Sequence, residues 1–223
     1  DLGFLTPERD LHFACSKGSD EDRGTVQYLQ DCAKAAGLNT NFVFMEDVGR
    51  DQLGNFTDKK DQVINWLFKL YPWEFMFEEK FADLLGHNNV RYLEPPWKSI
   101  LSNKALMPML WKLFPNHPNL LASFFEDELP QASQFKELIK KPIFSREGAN
   151  ISIIRDSQEE VASSGPYGDE GYIYQAMHAL PKFGDNYTLV GSWLVDDEAA
   201  GISIREDSNL VTQDSSRYLP HII

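Results

Sequence analysis

Lys140 and Lys141 close the apolar run ELIKKPIF, and Pro142 stiffens its exit into Ser145-Arg146-Glu147-Gly148-Ala149-Asn150. A second β-like run, ISII, follows at once. A short loop of small residues between two strands lets backbone approach a ligand closely, and its amide N–H groups can point at phosphate oxygens. Lys141 would then meet a polyphosphate as a point charge, and Arg146 would add a fork of donors. The same residues also make an ordinary basic hairpin. The pattern is neither GxxxxGK[ST] nor GxGxxG, so local chemistry leaves both readings open. Arg205 ends another β-like run, GISIRE. An arginine leaving a strand beside a cleft can hold a carboxylate bidentately, or it can simply lie in water.

The other chemistry-bearing residues exclude more than they suggest. The five histidines, His12, His87, His117, His178 and His221, fall at no metal-ligand spacing, and neither HExxH nor a zinc-finger pattern occurs. Two cysteines, Cys15 and Cys32, cannot build a disulfide framework or a four-cysteine zinc site. His12 and Cys15 lie three apart on a strand-like run, so they point to opposite faces. Asp20-Glu21-Asp22 suits a bound cation or amine, and equally a solvated acidic turn that starts a helix. Across 223 residues, 21 Lys plus Arg stand against 34 Asp plus Glu, a net charge of −13. That balance argues against non-specific nucleic-acid or anionic-membrane binding. No run reaches transmembrane length and no signal-peptide pattern opens the chain, so a cytoplasmic protein is expected. The numbering begins at Asp rather than Met, as in a piece of a longer protein.

These residues need elements to position them. LHFACS and NTNFVFME read as strands, with a helix between them from Arg23 to Ala36 and a stop at Gly37. Asp58–Leu70, with Val63, Ile64, Leu67 and Leu70 at helical spacing, is expected to be a second helix. Strand, helix, strand, helix is an α/β signature. YPWEFMFEEKF packs aromatics densely, as a core or a cleft would. NVRYLEP is a short strand, and SNKALMPMLWKLF a helix capped by Ser102 or Asn103, with Pro108 early or at a kink. From Lys136 onward ELIKKPIF, ANISIIRD, GYIYQAMHAL, YTLVGSWLV and AAGISIRE are β-like runs between turn residues, with a hairpin connection at Val195–Ala199. The second part is therefore expected to be a largely antiparallel sheet with a few helices.

Several long strings are distinctive. EDRGTVQYLQDC (21–32), YPWEFMFEE (71–79), LEPPWKSILSNKALMPMLWKLFPNHPNL (93–120), KKPIFSREGANISII (140–154), GYIYQ (171–175) and GSWLVDDEAAGISIREDSNLVTQDSSRYLPHI (191–222) resemble the carboxyl-terminal part of the glutathionylspermidine synthase family, closest to its standalone, synthetase-only members. The resemblance implies an α+β, α/β fold of ATP-grasp type, with mixed and antiparallel sheets and flanking helices, incomplete at its N-terminal side. It implies an α/β subdomain over 1–95 and a nucleotide-binding portion over 96–223. The implied reaction is ATP-dependent amide formation through an acyl phosphate, joining a peptide-like carboxylate such as glutathione to a polyamine or another amine. ATP and Mg²⁺ are the implied cofactors. The family's metal ligands lie upstream of residue 1, so no metal ligand and no activity of this stretch alone are expected.

By the same resemblance Lys104 and Lys141 contact the nucleotide, and Ser145, Arg146, Glu147, Gly148, Ala149 and Asn150 form a flexible lid over its phosphates. Tyr174 and Gln175 lie where a strand approaches the adenine. Arg205 sits at the glycine carboxylate of glutathione in a catalytic and substrate-binding role, and Glu21 with Asp22 receives the free amino group. Leu189 replaces a glutamine beside the nucleotide. Two other readings follow from these departures: the same chemistry on another peptide and amine, or a non-catalytic nucleotide-binding or interaction protein.

Overall fold

A computed structural model describes residues 10–86, 89–161 and 163–222; His87 lies outside them. The chain divides into two compact units, Asp1–Ser99 and Ile100–Ile223.

In the first unit β1 (Leu11–Cys15) leads into α1 (Asp20–Ala35) and β2 (Thr40–Phe44). A two-strand hairpin, β3 (Gly49–Arg50) and β4 (Phe56–Thr57), precedes β5 (Trp66–Leu70), the single-turn α2 (Trp73–Met76) and β6 (Arg91–Leu93). Four strands form a sheet in the order β2-β1-β5-β6, with every neighbouring pair parallel. All five residues of β1 are buried, because both faces of this sheet are covered. Phe13 and Cys15 pack with Val26 of α1 and with Trp66 on one side. Ala14 faces the other side, where Phe56, Leu67, Trp73, Met76 and Tyr92 make a second core. Strand alternation explains the division, and it sends His12 to the face away from Cys15.

The expected helix over Asp58–Leu70 is wrong. Trp66–Leu70 is a strand, paired with β1 from Leu11↔Trp66 to Cys15↔Leu70. A strand buried on both faces is apolar without alternation, so over five residues its pattern matches a buried helix equally well. Of the dense aromatic stretch Trp73 joins the core, stacking on Phe77 and meeting Tyr92 edge-on, whereas Phe75, Phe77 and Phe81 stay more than a third exposed.

The second unit opens with α3 (Ser99–Ser102), which spans the division, and α4 (Leu106–Leu113). Pro108 is buried in the first turn of α4, where its missing N–H costs no helical bond. Asn103 Oδ1 accepts the Ala105 amide at 2.8 Å just before the helix. Then come β7 (Ser123–Phe125), α5 (Leu129–Ala132), β8 (Glu137–Pro142), β9 (Ser152–Arg155), β10 (Gln158–Val161) and β11 (Tyr172–Ala176). They form an antiparallel five-stranded sheet ordered β10-β9-β8-β11-β7, its core being Ala122, Phe124, Ala132 and Leu138. A second antiparallel sheet joins β12 (Lys182–Phe183), β13 (Asn186–Val195), β14 (Glu198–Asp207) and β15 (Arg217–Leu219) in that order. Asp196 and Asp197, at φ 52° and 63°, make the β13–β14 hairpin turn, a conformation that acidic residues tolerate well.

Candidate nucleotide-binding face

The lysine doublet is split by the pleat of β8. Lys140 pairs with Tyr174 and Ser152, and Lys141 with Ile173, so the two amines leave on opposite faces. Lys140 is already neutralised: its Nζ lies 3.1 and 3.2 Å from the Glu159 carboxylate oxygens and 4.6 Å from the Tyr172 ring centroid. Burial pushes its ammonium down, but Glu159 outweighs burial and the net direction is up. Lys141 differs. Its Nζ donates at 2.8 Å to a neutral amide oxygen, Gln175 Oε1, and burial alone pushes its ammonium below the ordinary lysine range.

Gln175 then donates through Nε2 to Ser123 Oγ at 3.0 Å, and Ser123 Oγ donates to the Leu121 carbonyl at 3.0 Å. Lys141, Gln175 and Ser123 therefore lie on one face across β8, β11 and β7, joined amine to amide to hydroxyl to backbone. The chain fixes the amide's orientation, so its oxygen is turned toward the amine. Tyr174, 5% exposed, points to the other face with Phe124 and Leu138. Of the two strand residues expected near adenine, only Gln175 shares a face with Lys141.

The loop after β8 is short and held on three sides. Lys104 donates its backbone N–H to the Ile143 carbonyl at 2.9 Å. Its Nζ reaches Ser145, donating to the carbonyl oxygen at 2.7 Å and to Oγ at 2.9 Å. Lys104 thus grips the first residue of the loop. Arg146 and Glu147 are exposed, and the Ala149 amide closes a turn onto the Arg146 carbonyl at 2.9 Å. Glu147, Gly148 and Asn150 all take left-handed backbone, at φ 54°, 71° and 54°. Asn150 uses both ends of its amide, donating to the Gly165 carbonyl at 2.8 Å and accepting from the Tyr167 N–H at 2.9 Å. Ser163 Oγ donates to the Gly148 carbonyl and accepts from the Ile151 N–H at 3.0 Å.

Arg205 lies on β14 opposite Leu189 of β13 and Tyr218 of β15, its guanidinium carbon 5.7 Å from the Tyr218 ring centroid. Among the described residues it has no ion-pair partner, so its fork of donors is uncommitted. Glu21 and Asp22 stand in the first turn of α1, where Ser19 Oγ accepts the Asp22 N–H at 3.1 Å. There they complement the helix dipole, which accounts for them structurally without excluding an amine. Among the described residues no group of three His, Cys, Asp or Glu side chains is placed to hold a metal ion. Ser123 carried no sequence signal; only the register of three strands brings it to Gln175.

The architecture has a solved counterpart: a D-cycloserine synthetase crystal structure superimposes with a TM-score of 0.57 over 96% of this chain and 76% of that one, at 12% identity. At that identity the match speaks for the fold, which is ATP-grasp-like. Among curated proteins, a putative acid–amine ligase of Haemophilus influenzae is 40% identical over 95% of this chain. Trypanothione synthetase of Crithidia fasciculata is 30% identical over 86% of it, and the bifunctional glutathionylspermidine synthetase/amidase of Escherichia coli 28% over 91%. The chain spans 56%, 33% and 36% of those relatives' own lengths. Among the described residues no helix is long and apolar enough to cross a membrane. The model of the glutathionylspermidine synthase preATP-grasp family matches residues 3–223, and the chain belongs to that family.

Proposed function

We propose that this chain is part of an ATP-dependent carboxylate–amine ligase, and that the Lys141 face holds the nucleotide's phosphates. The observation that carries the reading is Lys141 itself. A half-buried ammonium whose partner is a neutral amide is a costly arrangement for structure alone. It is well suited to an incoming polyanion, which would supply the missing countercharge in a place where charge–charge attraction is weakly screened.

In this reading the carboxylate substrate attacks the terminal phosphorus of ATP, ADP leaves, and an amine displaces phosphate from the resulting acyl phosphate to give the amide. Lys141 neutralises charge on the transferred group. Lys104 holds Ser145 and so sets where the loop over the phosphates begins, and the loop's backbone N–H groups shield an intermediate that water would destroy. Arg205 orients the carboxylate, and Glu21 with Asp22 attracts an ammonium group. Mg²⁺, when bound, would spread the phosphate charge further; among the described residues no group of three His, Cys, Asp or Glu side chains is placed to hold it. The relatives differ in their named products, which favours a peptide-like acid and an amine without fixing the pair as glutathione and spermidine. A cytoplasmic setting, rich in ATP, suits this chemistry.

The test uses the full-length protein. Lys141→Ala is expected to weaken ATP binding by roughly ten- to a hundredfold, the size of a lost charge-assisted hydrogen bond of about 1.5–3 kcal/mol. Calorimetry reads the affinity, and ADP release with a responsive acid and amine reads turnover. Arg205→Ala is expected to leave ATP affinity near normal while depressing turnover at subsaturating acid, with Arg205→Lys rescuing only part. Normal ATP affinity in Lys141→Ala would overturn the assignment. Nucleotide sensing without ligation would appear as ATP binding with no acid-dependent ADP release.

A further inference from the structure

The first unit holds a cavity of about 360 Å³ that the ligase reading leaves unused. It lies on the sheet face away from α1, because its walls include Phe56, Leu67, Met76 and Tyr92 of the core on that side. Met45 and Glu46, just after β2, and Tyr71, just after β5, bring it to the carboxyl ends of the parallel strands, where open α/β sheets bind ligands. Its volume is in the range of small-molecule sites, and interiors packed for stability alone have few voids larger than a water molecule.

The polar groups around it are few and mostly of one sign. Glu46, Glu79 and Lys80 are the charged residues among those that line it. The Tyr71 hydroxyl donates to Glu79 Oε1 at 2.7 Å, and burial followed by Glu79 raises that phenol to about 12, so it stays a donor. Among the described residues the other Glu79 oxygen has no hydrogen-bond partner. Among the described residues the Glu46 carboxylate accepts the Lys17 amide, at 3.0 and 3.1 Å to its two oxygens, and has no ion-pair partner. Aromatic faces line the same space: the Phe56 and Phe81 rings meet edge-on with centroids 6.4 Å apart, and Tyr71 and Tyr92 stand in the wall. Carboxylates beside aromatic faces recognise organic cations, through Coulomb attraction and the negative face of the rings. An anion would meet two like charges there, and a neutral molecule would leave both carboxylates unused.

We propose that this cavity binds an organic ammonium ion, its charged end at Glu79 and Glu46 and its hydrocarbon body against Leu67, Met76 and Phe56. The site lies on the opposite face of the sheet from α1, whose first turn carries Glu21 and Asp22. It does not rest on ligase chemistry, and its test contains no nucleotide.

The experiment titrates the full-length protein by calorimetry with hexylamine, hexan-1-ol and hexanoate at constant ionic strength. Hexylamine is expected to bind saturably, and hexanoate at least about tenfold more weakly. Glu79→Gln, at an exposed position, is expected to lower hexylamine affinity about tenfold while leaving hexanol unchanged. Equal binding of amine and alcohol would overturn the proposal and make the space a plain apolar void. Equal binding of amine and hexanoate would overturn it as well. No saturable amine binding at millimolar concentration would overturn it too, as when another stretch of the longer polypeptide fills the space. Unchanged affinity in both Glu79→Gln and Glu46→Gln would sink the placement of the charged end.

Discussion

At the scale of single residues, His12 shows how burial becomes a pH dependence. It is 1% exposed on β1, with Nε2 3.6 Å from Asp58 Oδ2, too far for a hydrogen bond. Burial lowers its folded pKa, more than the neighbouring Asp58 charge raises it. Burial also acts to raise Asp58, but the Gln62 and Lys60 amides and His12 outweigh it, so Asp58 ends below the ordinary carboxylate range. The unfolded chain therefore takes up a proton on His12 from about pH 6.5 downward while the folded chain resists, so stability falls as pH drops below that value. Denaturant unfolding at pH 7.5 and 5.5 checks this. Wild type is expected to lose stability over the interval, and His12→Gln to lose clearly less; equal losses would show that other groups carry the dependence. Asp58→Asn keeps an oxygen for the two amides and is expected to cost about 1–2 kcal/mol at neutral pH. Residue type singled out Lys141, Arg205 and the loop as candidates, and strand alternation alone requires Lys140 and Lys141 to diverge. Which of the two would be neutralised was not readable, since Glu159 and Gln175 reach them from β10 and β11 through register.

Elements add constraints that residue type does not carry. The loop over 145–150 reads in the sequence as small and flexible, yet its backbone is shaped by what surrounds it. A Cβ at Gly148 would sit 2.5 Å from the Thr212 carbonyl oxygen, at a φ of 71° that side chains rarely adopt. Gly148→Ala is therefore expected to displace the loop, at a cost of about 1 kcal/mol from backbone strain alone and more from the clash. Hydrogen exchange reads it directly. Amides of 145–151 are expected to exchange faster in Gly148→Ala, and Asn150→Ala to release the 163–167 segment together with the loop. Unchanged protection in both variants would mean that the loop is held elsewhere. The β-like runs after Lys136 were legible because alternation and turn residues agree there, as at Asp196-Asp197. Trp66–Leu70 was not, because its identity as a strand is decided by pairing with β1 rather than by its own pattern.

At the scale of the whole molecule, charge works against the ligand that the lysine face is proposed to hold. The net charge is −13, and residues 100–223 alone carry 10 Lys plus Arg against 17 Asp plus Glu. A polyanionic nucleotide thus approaches through a repulsive field and is attracted only within a few ångströms of Lys141, Lys104 and the loop. Salt separates these two ranges, since the Debye length shrinks from about 30 Å at 0.01 M to about 10 Å at 0.1 M. Repulsion at a distance is screened over that interval, whereas contacts at a partly buried amine are screened much less. Nucleotide association is therefore expected to quicken a few-fold between those salt concentrations, with dissociation nearly constant. Lys141→Ala is expected to lower affinity by a similar factor at both. This is opposite in sign to a nucleic-acid-binding protein, whose affinity falls steeply with salt through counterion release. Stopped-flow measurement with a fluorescent ATP analogue distinguishes the two, and association that slows as salt rises would show that a local basic field, rather than the charge of the whole chain, governs the encounter.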